Sequence, residues 1–394
     1  MNEITIEIKK YDNTGKGIGY NNNKIAFIPN TYIGDILKVE IIKENKNIID
    51  VKVKEILKES PIRTKSICKY KNCGGCNYLN IKYEDEINIK RDVFKNLFNI
   101  NNVDIISPKD YVGYRNKIIL HYNKKIGLYE KQSNNIVNIN ECKLVKPEIN
   151  KIIKELNGIH FNDVERILIK SGEDSIVIIY SKNKINFDLK LSTNNIVNIY
   201  NNKINIIKGK DYITYKINNY VFKSSLDSFF QTNESAAYNI VNYIIKLKLL
   251  NRETKLLELY CGNGSFGIQL SKYVKRVFGV EINKLSIEDA INNIKINKIN
   301  NAEFICGDLN NFKNLTNKYD VVLLDPPRSG LSKNIINYLL QNNFKNIIYI
   351  SCNPLTLKND INILNSKYYI DDIKLIDMFP RTNHVECVCL LKLR

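Results

Sequence analysis

Hydrophobic and polar positions change rhythm along the chain. Between residues 3 and 56 they alternate. Ile4, Ile6 and Ile8 are spaced by polar residues, and Ile25–Ile28, Leu37/Val39/Ile41 and Ile49/Val51/Val53 come next between Gly and Asn turns. A period of two puts every second side chain on one face, so this stretch predicts short strands closing into a small all-β barrel. Ser60-Pro61 punctuates the pattern. Residues 84–99 then carry Ile87, Val93, Phe94, Leu97 and Phe98 at helical spacing. From about 111 to 222 the strand rhythm returns, as in Ser175–Tyr180 and Asp211–Ile217, and predicts an antiparallel central domain. Beyond about 235, apolar strand runs alternate with helical patterns, the signature of a parallel, doubly wound sheet. The expected organisation is a barrel over 1–58, a central domain over 59–222 and an α/β domain over 223–394, with helix 84–99 a candidate to pack on the last.

Composition adds a partner. The chain has 394 residues, 59 Lys and Arg against 41 Asp and Glu, and a formal charge of +18. Asn, Ile and Lys are used heavily but evenly, as coding bias would produce. The charge still favours a polyanion, because affinity for nucleic acid grows with each phosphate neutralised. Barrels of the OB type often bind oligonucleotides. A basic run (Lys58, Arg63, Lys65, Lys69, Lys71) meets only Glu59. No apolar run approaches the ~18 residues of a membrane span, and no secretory leader is visible, so a cytoplasmic protein without a membrane partner is expected. Nine cysteines in a reducing compartment point to metal or catalysis rather than disulfides.

Three thiols cluster at Cys68, Cys73 and Cys76 with Gly74 and Gly75 between them, and Cys142 stands apart. Zinc ribbons usually supply two C-x-x-C pairs. Three close cysteines plus one distant one fit an iron–sulfur cluster better; zinc and free thiols remain the alternatives.

The C-terminal half carries the reaction chemistry. Lys255–Leu259 is an apolar strand that enters Tyr260-Cys261-Gly262-Asn263-Gly264-Ser265 and then a helix. Gly262 and Gly264 let the backbone approach a ligand closely. The next strand ends in Glu281, placed to accept hydrogen bonds from ribose hydroxyls. A third ends in Asp308, placed to reach an adenine. Gly262, Gly264 and Gly267 match G-x-G-x-x-G literally, so glycines alone do not exclude NAD. The next apolar strand does. It ends in Asp325-Pro326-Pro327-Arg328, a rigid acidic turn of the kind that flanks the transferred methyl in S-adenosylmethionine (SAM) enzymes. Strand Asn346–Ile350 then delivers Ser351-Cys352-Asn353-Pro354, and Phe379-Pro380-Arg381-Thr382-Asn383-His384-Val385-Glu386 supplies a carboxylate. A thiol at the mouth of a SAM fold implies covalent help. Carbon 5 of uracil becomes nucleophilic only after a thiolate adds to carbon 6, and a base must then remove the carbon 5 proton. Cys352 and Glu386 are the pair for those two tasks.

These motifs together make the chain resemble the RNA uracil-5-methyltransferase family over essentially its whole length. The resemblance implies a TRAM domain over the N-terminal strands and 4Fe–4S ligands at Cys68, Cys73, Cys76 and Cys142. It makes Tyr114-Arg115-Asn116-Lys117 an RNA-facing motif. It puts SAM contacts at Tyr260, Ser265, Glu281 and Asp325, with Gln231 between SAM and the target base. Cys352 falls on the nucleophile and Glu386 on the base. A monomer acting on 23S ribosomal RNA is the preferred reading, with tRNA the alternative. Two features depart from the family: four residues rather than five separate Cys68 from Cys73, and Arg381 stands where histidine is common. Two other function classes compete: an amino-group methyltransferase, which would survive Cys352→Ala, and a non-catalytic RNA-binding protein, which would bind RNA without methyl transfer.

Overall fold

The computed structural model describes residues 3–186, 189–308 and 319–394. The N-terminal alternation becomes five strands, β1 (Glu3–Tyr11), β2 (Gly17–Asn21), β3 (Lys24–Ile28), β4 (Ile36–Glu44) and β5 (Ile49–Lys58). They pair in the order β3-β2-β1-β4-β5, and a bridge between Ile25 and Ile48 brings the two ends together. Ile6, Ile8, Ala26, Ile28, Leu37, Val39 and Ile49 fill the inside. Most apolar positions of the two-residue period are among them, and burying them fixes the register; Val53, expected on the same face as Ile49, is exposed, in a pairing of β4 with β5 interrupted by register shifts.

Helix α1 (Tyr83–Phe98) and strand β6 (Ile105–Ile106) lie after the barrel. Next come β7 (Lys117–Asn123), β8 (Lys125–Tyr129), β9 (Ile136–Asn138), α2 (Pro147–Leu156), β10 (Val164–Ser171), β11 (Ser175–Ser181), β12 (Asn195–Tyr200) and β13 (Lys203–Lys208). Strands β7–β13 form one sheet, β13-β12-β11-β10-β7-β8-β9. Ile149, Ile152, Ile153 and Leu156 of α2 share one apolar core with it. The sheet departs from the antiparallel expectation at one pair: β11 and β12 run parallel. The chain between Ser181 and Asn195 is long enough for the crossover of a dozen or so residues that a parallel pair requires.

The C-terminal half opens with a hairpin, β14 (Tyr212–Ile217) and β15 (Tyr220–Ser225), and continues through α3 (Glu234–Lys246), β16 (Lys255–Leu259), α4 (Ser265–Leu270), β17 (Arg276–Glu281), α5 (Lys284–Ile296), β18 (Ala302–Cys306), β19 (Val321–Leu324), α6 (Lys333–Gln341), β20 (Asn346–Ser351), α7 (Pro354–Leu364), β21 (Tyr368–Ile376) and β22 (Glu386–Leu393). Its sheet has the order β18-β17-β16-β19-β20-β22-β21-β6. Strands β16–β20 are parallel and β22 runs against β20. Val321–Leu324 and Ile347–Ile350 are buried throughout, as strands covered on both faces must be.

The chain visits this half early. β6 pairs with β21, Phe94 of α1 lies in its core, and Lys358 donates to the Leu97 carbonyl at 2.7 Å. The hairpin is clamped to α5 by amides: Asn293 exchanges hydrogen bonds with the backbone of Lys223, and Asn297 with that of Val221. No described helix is long and apolar enough to cross a membrane.

Candidate active site

Strand register decides which side chains meet. In the large sheet Leu259 pairs with Leu324 and with Val280, so Tyr260, Asp325 and Glu281 emerge side by side at one sheet edge. Ser351 pairs with Cys387, so Cys352 and Glu386 are the next residues out on neighbouring strands. Cys306 pairs with Glu281, and Asp308 lies two residues further on. The predicted residues therefore line one edge in spatial order, from Asp308 and Glu281 through Tyr260, Gly262 and Asp325 to Cys352 and Glu386. This is the carboxyl end of the parallel strands, where open α/β sheets bind ligands.

The turn after β16 is shaped for close approach. Tyr260, Gly262 and Gly264 all have positive φ (63°, 53° and 78°), and a Cβ on Gly262 would meet nothing within 4 Å. Glu281 braces the turn by accepting the Gly262 N–H at 3.2 Å and the Asn283 N–H at 2.8 Å. An open, glycine-lined turn facing an acid on the next strand fits the SAM expected from sequence. Ser265 begins α4. Gln231 reaches the same half from the segment before α3; its carbonyl accepts from Asn116 at 3.0 Å.

Below the cleft the acids crowd. Asp325 is half-buried, and its carboxyl is pushed up to about 7, by desolvation first and by Glu281 second. Burial and then Asp325 hold Glu386 well above the usual carboxylate range, while Arg328 opposes both. Glu258, on β16, is also raised, by burial first and by Asp325 second, with only the Gly267 backbone opposing. Like charges that share a low-dielectric site cannot all ionise.

Cys352 sits just before α7, whose N-cap is Asn353. Asn353 also donates to the Arg328 carbonyl at 2.9 Å, which ties the thiol loop to the Asp325–Arg328 turn. Burial and then Glu386 push the thiol up to about 11, and Arg328 is the neighbour that lowers it. A helix N-terminus favours the thiolate in the same direction. Arg328 also donates to His384 Nδ1 at 2.7 Å. Burial first and Arg328 second depress the imidazole to about 4, so it is neutral at physiological pH. Arg328 thus acts on Cys352, Glu386 and His384 together. In the sequence it is only the end of the Asp-Pro-Pro turn, and no local signal separates it from other surface arginines.

A cavity of about 320 Å³ opens on Cys352, lined also by Arg328, His384, Phe94 of α1 and the barrel loop Asn13–Gly15. Gly15 (φ 77°) has no room for a side chain, since a Cβ would fall 2.2 Å from the Tyr78 hydroxyl.

One expectation changes. Tyr114 and Asn116 do not face outward. Both are buried; Tyr114 donates to the Pro380 carbonyl and Asn116 to Gln231 and Glu234, so these two residues brace the site from within. Two adjacent aromatics before α3 differ in burial. Phe230 is buried and stacks on Tyr215 at 4.0 Å, whereas Phe229 is 59% exposed.

Cys68, Cys73, Cys76 and Cys142 are unpaired thiols lining one cavity of about 540 Å³. Burial raises the thiols of Cys73, Cys76 and Cys142, and each of these three also feels at least one of the other cysteines. Among the described residues no three His, Cys, Asp or Glu side chains converge as a single ion would require. The four thiols stand around a space instead.

Comparison with known proteins adds to this geometry. Residues 126–394 match the family model for tRNA (uracil-5-)-methyltransferase, and residues 2–55 match the TRAM domain. An uncharacterised RNA methyltransferase of Clostridium acetobutylicum is 31% identical, covering 99% of this chain and 97% of the relative. Another from Fusobacterium nucleatum is also 31% identical, covering 99% and 95%. The crystal structure of Pyrococcus abyssi tRNA (uracil-54, C5)-methyltransferase in complex with S-adenosyl-L-homocysteine superposes with a TM-score of 0.83 at 26% identity, covering 98% of this chain and 100% of that one.

Proposed function

Since the chain belongs to the tRNA (uracil-5-)-methyltransferase family and carries an N-terminal TRAM domain, we propose that it methylates carbon 5 of a uridine in RNA through Cys352 and Glu386. The observation that carries this reading is the Ser351–Cys387 pair, which sets a thiol and a carboxylate beside each other at the mouth of a SAM fold. Cys352, as thiolate, forms a bond to carbon 6 of the ring, and the displaced electron pair makes carbon 5 nucleophilic. SAM, when bound, supplies an electrophilic methyl group to that carbon. Glu386 takes the carbon 5 proton, the ring double bond re-forms, and the carbon–sulfur bond breaks to return the thiolate. Arg328 favours the ionised forms of both groups. A base raised by burial also holds the proton it takes more firmly once ionised.

Gly262, Glu281, Tyr260, Ser265, Asp308 and Asp325 form the proposed SAM site, with Gln231 beside the target base. A uridine inside a helix cannot present carbon 6, so the base leaves the stack to reach the Cys352 cavity. 23S ribosomal RNA is kept as the first reading on the chain's resemblance, in domain make-up, to the ribosomal members of the family. The whole-chain likeness to the Pyrococcus abyssi enzyme, which is named for tRNA, supports tRNA as the second reading. A monomer working in the cytoplasm is part of the proposal.

Cys68, Cys73, Cys76 and Cys142 are proposed to hold a 4Fe–4S cluster. The support is that all four thiols line one cavity, in the three-plus-one arrangement along the chain that suits a cluster. The cluster would cross-link the loop 68–76 to Cys142, and the methyl transfer needs no electron from it. The test of the main reading is methylation of unmodified ribosomal and transfer RNA with tritiated SAM, with nucleoside analysis. Labelled 5-methyluridine that disappears in Cys352→Ala is expected. Another labelled nucleoside, or activity surviving in the variant, would overturn it in favour of amino-group chemistry.

A further inference from the structure

The segment that leads into Glu386 is held at one residue by unusually many contacts. Arg381 is buried and has a φ of 67°, left-handed backbone that is uncommon for a residue other than glycine. Its N–H donates to Glu86 Oε1 at 2.7 Å. Its carbonyl accepts from the N–H groups of both Asn77 (2.9 Å) and Tyr78 (3.2 Å), the residues that come directly after Cys76. Its guanidinium donates to the carbonyls of Tyr78 and Ile81 and lies 4.7 Å from the centre of the Tyr111 ring.

The contacts around it point the same way. Lys90 of α1 joins Glu86 to Asp377, each at 2.7 Å, and reaches the Phe379 carbonyl. The Asn383 N–H donates to Asn77 Oδ1, and its side-chain amide donates to the carbonyl of Thr14 in the barrel. Residues 377–383 are therefore fastened to the cysteine loop, to α1 and to the barrel, and residue 381 is the point where the first two meet. His384 and Glu386 lie within the next five positions.

We propose that Arg381 is a positioning residue for proton removal: Glu386 is anchored on one side by the β20 and β21 ladders, and Arg381 fixes it from the other by locking the entering segment 379–385 to the Asn77–Tyr78 backbone. The fold of the cysteine loop thereby becomes a condition for the base to act. The proposal rests on the reading of Cys352 as nucleophile and Glu386 as base. It separates two steps of that chemistry. Thiol addition and methylation depend on Cys352, which is carried by β20 and α7. Proton removal depends in addition on the segment 379–385 that feeds Glu386 into β22.

If that segment shifts, the thiol still adds and carbon 5 is still methylated, but the carbon 5 proton stays and the carbon–sulfur bond to the RNA does not break. A covalent RNA–protein species then accumulates. The experiment compares wild type, Arg381→Gly, Arg381→Lys, Asn77→Ala and Glu386→Gln on unmodified RNA with SAM. It reads kcat and KM by methyl incorporation, and the covalent species as a band that survives denaturing electrophoresis. Glycine relaxes the left-handed backbone while removing the guanidinium; lysine keeps the charge. Arg381→Gly is expected to lower kcat about tenfold or more with KM for RNA within about twofold, and to accumulate the band. Arg381→Lys restores part of the turnover. Asn77→Ala, which removes the Asn383 tether without altering residue 381, moves in the same direction and serves if the glycine variant does not fold.

Glu386→Gln separates the two failures. No band in Glu386→Gln would sink the reading of Glu386 as base. A band there, but turnover lost without a band in both Arg381→Gly and Asn77→Ala, would overturn the role of Arg381 alone. Wild-type kinetics in Arg381→Gly would overturn it as well.

Discussion

Replacing Arg328 by glutamine removes a cation that favours the ionised form of Cys352. The thiol already stands at about 11, raised by burial and then by Glu386, with Arg328 opposing. At about pH 8 the thiolate is then roughly one part in a thousand of the empty enzyme. Removing a positive charge within ~4–6 Å raises such a group by about one to two further units, each unit being about 1.4 kcal/mol. Alkylation by iodoacetamide requires the thiolate, so the Cys352 peptide, quantified by mass spectrometry, should react about 10–100-fold more slowly in Arg328→Gln. Below the thiol's own value both proteins should speed up about tenfold per pH unit, so the curves stay parallel and are displaced along the pH axis. Arg328 also lowers Glu386, so methylation should fall further than alkylation. Equal alkylation rates in the two proteins, with the fold intact, would refute this account of the cleft.

The same contacts set other outcomes. Asp325 is held at about 7 against about 4 for a free carboxyl. The folded state thus keeps a proton that the unfolded chain releases, so its burial carries no penalty at low pH and an increasing one from about pH 4 to 7. Asp325→Asn should therefore melt increasingly above wild type across that window in scanning calorimetry, while losing SAM affinity in titration calorimetry. Lys90→Met strips the shared cation from Glu86 and Asp377, which are both buried. An uncompensated buried charge of this kind costs about 3–5 kcal/mol, read as a lower urea midpoint. Phe230→Ala should cost about 3–5 kcal/mol by removing a core aromatic, whereas Phe229→Ala, at an exposed position, should stay within about 0.5 kcal/mol. Anaerobically purified wild type should contain iron and absorb broadly in the visible; Cys73→Ser should lose both, and iron-free wild type would end the cluster proposal.

Much of this molecule is written in local pattern. A two-residue period states which face of a strand is buried, so Ile6, Ile8, Leu37 and Val39 identify the barrel interior without reference to any contact. Continuous apolar runs that end in Glu281 and Asp325 likewise mark strands covered on both faces, and chemistry emerging at their ends. Cys352 and Glu386 stand out because a thiol and an acid in such places have few other uses. The sequence alone thus pointed to the barrel, the helix over 84–99 and the α/β half, and proposed the residue types of the cleft. Tertiary structure decided what each residue meets. The Lys90–Asp377 contact spans 287 positions and the Arg381–Tyr78 contact 303, and neither leaves a periodic trace. Tyr114 and Asn116 turn inward and donate to the Pro380 and Gln231 carbonyls, partners far away in sequence. The parallel β11–β12 pair depended on the path of a connection rather than on strand composition. Periodicity records how a residue sits in its own element; hydrogen bonds and shared charges between elements depend on packing in three dimensions, and only the folded chain reveals them.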